Sequence, residues 1–156
     1  YTVEDIKGVR STALDVLGEW HGMCVEDDRL SSPYIFEETL IFSRSDDGAL
    51  LIDSGAIHFL RTEISKNVIQ IDDMIMGQAV IEGWQAPFGV GTFQLQVLRE
   101  NTFLEGYTTW YDLDSKRIET SKYVAVRRNI VDYDDCLAAA RAIIDKEIAI
   151  YAMRSS

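Results

Sequence analysis

Between residues 18 and 128 the apolar positions fall into short runs rich in β-branched and aromatic residues, broken by acidic and glycine-bearing turns. Eight such runs stand out: Gly18–Val25, Tyr34–Ser43, Ala49–Leu60, Asn67–Ile71, Met74–Trp84, Gly91–Arg99, Thr102–Asp112 and Arg117–Arg128. The breaks carry turn chemistry, as in Asp46-Asp47-Gly48, Asp72-Asp73, Pro87-Phe88-Gly89, Glu100-Asn101 and Asp114-Ser115. Connections this short pair consecutive strands antiparallel, as an up-and-down meander. No helix-length segment interrupts them, which excludes a parallel βαβ sheet. Closing the meander into an eight-stranded antiparallel barrel leaves no strand edge unpaired, so a barrel is expected, with a two-sheet sandwich as the alternative.

The flanking segments change period. Thr2–Leu17 reads as a helix: Thr2 with Asp5 forms a capping-box-like start, and Ile6, Val9, Ala13, Val16 and Leu17 recur on one face. Asp132–Met153 reads as a stronger helix. Acidic residues crowd its start, and Tyr133, Leu137, Ala140, Ile144, Ile148 and Tyr151 make a continuous stripe that must pack on something apolar, the outer wall of the barrel. The expected organisation is a single mainly β domain over 1–156, with helix 2–17, barrel 18–128 and helix 132–153.

Composition narrows the function classes. The 156 residues are 47% hydrophobic and 26% charged, a globular balance long enough to bury a core without staples. Fifteen basic against 26 acidic side chains give a net charge of −11, which argues against polymeric nucleic acid and anionic membranes as partners. Cys24 and Cys136 form no C-x-x-C pair, so no zinc or redox motif is present; a single disulfide between them requires spatial proximity. No apolar stretch is long enough to span a membrane as a helix, and no basic-then-apolar leader appears. The chain starts at Tyr1 rather than Met, so a trimmed fragment is expected, with an upstream domain, a removed leader or a homo-oligomer left open and the cytoplasm as default compartment.

The first strand opens Gly18-Glu19-Trp20, a G-x-W motif following a helical segment, and the last ends Val126-Arg127-Arg128 and runs through residues 129–131 into the acidic helix start at Asp132. This combination resembles the lipocalins and the wider calycin group. The resemblance implies that Trp20 plugs the closed end of the barrel and that Arg127, with Arg128 as competitor, lies across its ring. A guanidinium over an indole contributes roughly 0.5–2 kcal/mol. The family's usual Thr-Asp-Tyr motif is absent, and Glu105-Gly106-Tyr107-Thr108 stands in that region, which points to a divergent calycin-like barrel.

Side chains alternate in and out along barrel strands. In the second run Tyr34, Phe36, Leu40 and Phe42 share a face, with Glu38 among them; in the sixth and seventh, Phe93, Leu95 and Val97 share one with Leu104 and Trp110. The opposite face of that hairpin holds Gln94, Gln96, Glu105, Tyr107, Thr109 and Tyr111. The simple expectation puts the apolar face inside; a local inversion would turn the Gln and Tyr groups toward a polar guest. Pointed inward, Glu38 would be desolvated, its pKa raised, and it would serve as an acid or a cation anchor; a twist or bulge would instead turn it to solvent. His21 has the parity opposite to Trp20 and is expected to face outward, and His58 lies on a run too ambiguous to orient.

No other chemistry is signalled. The histidines lack the spaced partners of a metal site. No serine sits in a G-x-S-x-G elbow, and Cys24 lacks a defined base. Gly89 and Gly91 precede a strand rather than a helix and carry no phosphate-loop Lys, and the Asp pairs lack calcium-loop spacing. The expected function is therefore non-catalytic binding of a small apolar or aromatic molecule inside the barrel, by Trp20, Phe36, Glu38, Phe42, Phe93, Leu95, Tyr107, Trp110 and Arg127, without a metal or cofactor. The alternatives are a ligand-sensing module, for instance for a cyclic nucleotide, or a protein-interaction module of a larger protein; a lesser one is a small barrel enzyme using Glu38 and Tyr107 as an acid–base pair.

Overall fold

In the computed structural model the described residues are 14–26, 33–56, 62–83, 86–112 and 116–155. They form eight antiparallel strands and one helix: β1 (Gly18–Glu26), β2 (Tyr34–Arg44), β3 (Leu50–Ala56), β4 (Thr62–Ile71), β5 (Met74–Gly83), β6 (Ala86–Leu98), β7 (Phe103–Asp112), β8 (Arg117–Arg127) and α1 (Tyr133–Ser155). Each strand pairs with its sequence neighbours, and β8 returns to β1 through the register Trp20 to Arg127 and Cys24 to Tyr123. The meander closes as a barrel, not a sandwich. Its slimmest seam is between β3 and β4, where pairing runs only over Asp53–Gly55 against Thr62–Ile64.

Two strands begin earlier than their hydrophobic runs. β4 starts at Thr62, and its register slips between Lys66 and Ile69. β6 starts at Ala86, so Pro87-Phe88-Gly89 is strand rather than turn. Ile81 faces Gly89 while Glu82 faces Pro87, leaving Phe88 as the extra residue of a bulge. A bulge is one of the few places in a sheet that tolerates a proline, which donates no ladder hydrogen bond.

The core has two layers. Inside the barrel, Val16, Trp20, Phe36, Leu40, Phe42, Ile52, Ile75, Phe93, Leu95 and Leu104 pack together. Outside it, Met23, Val25, Phe103, Val124 and Val126 meet Cys136, Ala140 and Ile144 of α1, flanked by Tyr133, Leu137, Ile148 and Tyr151. β1 and β8 are thus apolar on both faces, because one face looks into the barrel and the other under the helix. Cys24 belongs to the inner layer and Cys136 to the outer, and no disulfide joins them.

The N-terminal segment departs from expectation. Residues 14–17, the described part of the expected helix 2–17, are not helical; the rest of it lies outside the described residues, as does His58. The barrel uses the backbone groups a helix would need. Leu14 N–H donates to the Asp72 carbonyl, Gln70 Nε2 donates to the Leu14 carbonyl, and Trp20 Nε1 donates to the Val16 carbonyl. Val16 is drawn into the inner core as a result.

Candidate functional site

One end of the barrel is sealed. Trp20 is fully buried, its ring edge-on to Phe42 at 6.1 Å between centroids. The Arg127 guanidinium lies 4.4 Å from the Trp20 ring centroid. It also donates to three backbone carbonyls, those of Leu17 at 2.7 Å, Asp15 at 2.6 Å and Asn101 at 2.9 Å. One cation therefore ties the entering chain, the β6–β7 turn and the plug together. Arg128, the competing candidate, turns the other way, with Nε 3.3 Å from Glu19 and Nη2 near His21 and Thr39.

Above this plug lies a cavity of about 40 Å³, lined by Cys24, Phe36, Glu38, Leu40, Phe93, Leu95, Thr108, Trp110 and Tyr123, with Ile52, Ser54, Ala79 and Glu26 completing the wall. Since about 10–15 Å³ of such space holds one water, this is room for about three. Register explains the lining. Gly91 pairs with Trp110 and Phe93 with Thr108, so the hairpin's apolar face does point inward. A Cβ at Gly91 would press on the Trp110 ring, so the indole lies flat over that glycine.

The polar feature of the cavity is a buried Glu–Tyr pair. Glu38 is only 2% exposed, and Tyr123 Oη donates to its Oε1 at 2.6 Å. That is the length of a hydroxyl donating to a carboxylate. The two residues stand on β2 and β8, with β1 between them, and Glu38 pairs with Gly22 across β1–β2. The phenol bridges the gap by crossing over Gly22, where any Cβ would overlap the Tyr123 hydroxyl and ring. A buried carboxyl is costly without hydrogen bonds, and the Tyr123 hydroxyl offsets part of that cost. On the facing wall Thr108 is 7% exposed, and its Oγ1 has no hydrogen-bond partner among the described residues. Toward the opposite end of the barrel Tyr34 Oη donates to Glu26 Oε2 at 3.3 Å.

Of the expected ligand-binding residues, Phe36, Glu38, Phe93, Leu95 and Trp110 line this cavity. Trp20, Phe42 and Arg127 lie at the sealed end instead, outside its lining. Tyr107 is a correction: it is 54% exposed, on the outer wall, with Lys122 Nζ 4.8 Å over its ring. Strand alternation forces this, because inward Thr108 leaves Tyr107 no way in. The local inversion of the Gln and Tyr face does not occur, and a Glu38–Tyr107 acid–base pair is geometrically excluded. The tyrosine that reaches Glu38 is Tyr123, which the sequence reading missed. Its parity was available, since it lies four residues before Arg127 on the same face.

His21 points away from the barrel interior, as its parity predicts, yet it is only 7% exposed because α1 covers it. Its Nδ1 faces two donors, Tyr133 Oη at 3.1 Å and Arg128 Nη2 at 3.3 Å, so Nδ1 accepts. Its Nε2–H donates to Glu37 Oε1 at 3.0 Å, and Glu37 also holds Arg141 of the helix at 2.9 Å. Burial lowers the imidazole's pKa below 6.5; Glu37 opposes that shift, and the charges of Arg128 and Arg141 add to it. Among the described residues no three His, Cys, Asp or Glu side chains converge as metal ligands, and no helix is long and apolar enough to cross a membrane.

Comparison with known proteins adds little. No family model matches the chain. No curated protein matches it either. A solved structure, a protein of unknown function from the DUF3598 family of Nostoc punctiforme PCC 73102, aligns at a TM-score of 0.44 and 15% identity. The alignment covers 74% of this chain and 49% of that one, so this chain spans about half its length. A likeness that loose supports no conclusion about function.

Proposed function

We propose that this protein is a calycin-like barrel that binds a small molecule in its interior without catalysing a reaction. The observation that carries the reading is the buried Glu38–Tyr123 pair facing Thr108 Oγ1 across a cavity walled by Phe36, Phe93, Leu95 and Trp110. Apolar walls with a few convergent polar groups are the general form of a small-molecule site. A barrel interior filled only by apolar side chains would avoid the cost of burying Glu38. The Trp20–Arg127 seal supports the calycin-like part of the reading, since it closes one end of the barrel beneath the cavity.

The test is a titration of the full chain with ethanol and acetonitrile, molecules of three heavy atoms that match room for about three waters, followed by amide chemical shifts. Binding should perturb residues 36, 93, 95, 108 and 110 together and leave the outer wall around 94 and 107 unmoved. Replacing Ala79, which lines the cavity, by Phe should abolish the response by filling the space. Perturbation confined to the outer wall, or an unchanged response in Ala79→Phe, would overturn the reading.

A further inference from the structure

We propose that the outer wall of the barrel carries a second site, separate from the interior one, which binds a neutral oligosaccharide with Tyr107 as its stacking platform. Register builds the site. Ile69, Met76, Gln94 and Tyr107 stand directly opposite one another across β4, β5, β6 and β7, so all four share the outer face of Tyr107. Thr92 and Thr109 pair in the next row. These six side chains line a groove of about 440 Å³, within the roughly 300–1,000 Å³ of small-molecule sites. The Tyr107 ring is held in place by its own neighbours. Lys122, its partner on β8, lies with Nζ 4.8 Å over one ring face and is anchored to Glu105 at 2.8 Å. The lysine comes from β8 and the groove from β4–β7, so the groove meets Tyr107 on the side the lysine leaves open, and the residue stays 54% exposed.

The chemistry of the lining selects the ligand class. None of the described lining side chains is charged, so an ionic ligand would give up hydration there for no counter-charge. A wholly apolar ligand would strand the Gln94 amide and the Thr92 hydroxyl, both on exposed residues. Gln94 Nε2 donates at 3.3 Å only to the Met76 sulfur, a weak acceptor, which leaves most of the amide's bonding capacity to a ligand. Amides and threonine hydroxyls both donate and accept, as sugar hydroxyls do. The C–H face of a sugar ring is apolar and lies flat on an aromatic ring such as Tyr107. Four strands set about 4.8 Å apart make each row about 14 Å long, which suits a short chain of linked sugars. A second copy of the protein fits less well. Two rows about 7 Å apart cover far less than the roughly 800 Å² per partner of a stable interface, and each copy carries a charge of −11.

The experiment is a titration of the full chain at neutral pH with cellotriose, maltotriose, tri-N-acetylchitotriose and trigalacturonate, followed by amide chemical shifts. At least one of the three neutral trisaccharides should shift residues 76, 92, 94, 107 and 109 together, and trigalacturonate, of similar shape but anionic, should bind more weakly. Tyr107→Ala should weaken the neutral sugar about tenfold, the size of one lost ring contact. Tyr107→Phe, which keeps the ring, should retain binding, and Gln94→Leu should weaken it several-fold. Failure of all three neutral sugars to move these residues would overturn the site, as would affinity unchanged in Tyr107→Ala. Trigalacturonate binding as tightly as the neutral sugars would overturn the ligand class. Concentration-dependent sedimentation of the free chain, with the same amides shifting, would assign the face to contact between copies and overturn the proposal. None of these outcomes bears on the interior cavity, which the ethanol and acetonitrile titration tests.

Discussion

Tyr123 occupies a position that only a glycine opposite could permit. Its ring crosses β1 at Gly22 to reach Glu38, and a methyl group at Gly22 would meet the phenol head-on. Gly22→Ala should therefore displace Tyr123, cost about 1–3 kcal/mol as overpacking does, and weaken binding in the cavity that Tyr123 lines; urea denaturation and the ethanol titration measure the two effects. Tyr123→Phe tests the hydrogen bond alone. It removes the donor without disturbing the ring, and should cost about 1–3 kcal/mol because it strips a buried acceptor of a partner. A change indistinguishable from zero would mean Glu38 does not depend on Tyr123. At the sealed end, Trp20→Ala should cost about 3–5 kcal/mol in the same assay, as large truncations in a tight core do. A loss under about 1 kcal/mol would show that the plug is peripheral. Trp20 and Arg127 were legible from sequence because a motif marks them. Tyr123 was not, because its partner sits two strands away and nothing local in β8 announces the crossing.

At the scale of the element, α1 contributes to stability in two ways. Its buried stripe of Cys136, Ala140 and Ile144 covers the β1–β8 wall, and Tyr133 and Arg141 lock onto the His21–Glu37 pair beneath it. Truncation after Asn129 exposes Met23, Val124 and Val126 and should cause aggregation or loss of cooperative unfolding; a soluble, cooperatively folding 1–129 would refute the wall-covering role. The histidine adds a pH dependence whose sign follows from its lowered pKa. Keeping His21 neutral stabilises the fold fully above the unfolded value of 6.5, and that contribution is lost as pH falls through the lower folded value. Acid puts a proton on Nδ1, which then faces the Tyr133 hydroxyl and the Arg128 guanidinium. The denaturation midpoint should drop between about pH 7.5 and pH 5.5 more steeply in the native protein than in His21→Gln. Equal slopes would remove His21 as the cause. The helix itself was readable from its apolar stripe, which recurs at helical spacing and has no other way to be buried. Its polar lock was not, since His21 and Glu37 come from two strands and meet α1 only when the barrel closes. The Pro87 bulge was missed for a related reason: proline and glycine together read as a turn, and only pairing with β5 makes them strand.

At the scale of the whole molecule, closure is the event that turns local patterns into a site. Period-two alternation, short turns and the absence of a crossover determined an antiparallel meander, its strand order and which residues of each hairpin share a face. The strand order and shared faces are consequences of the strand repeat and of chain connectivity, both written in local sequence. The sealed end was expected only from the resemblance carried by the G-x-W start and the terminal arginines, with Arg127 and Arg128 both candidates. The tertiary structure decided what depends on distant partners. It drew residues 14–17 out of the expected helix, because β4 and the β4–β5 turn compete for their backbone hydrogen bonds. It brought Tyr123 to Glu38, because the register between β8, β1 and β2 fixes which side chains cross a shared glycine. It made His21 buried although outward-facing, because a helix more than a hundred residues away in sequence packs over it. A strand's own sequence sets the parity of its side chains, while depth, neighbours and charge partners come only from the strands and helix that close around it.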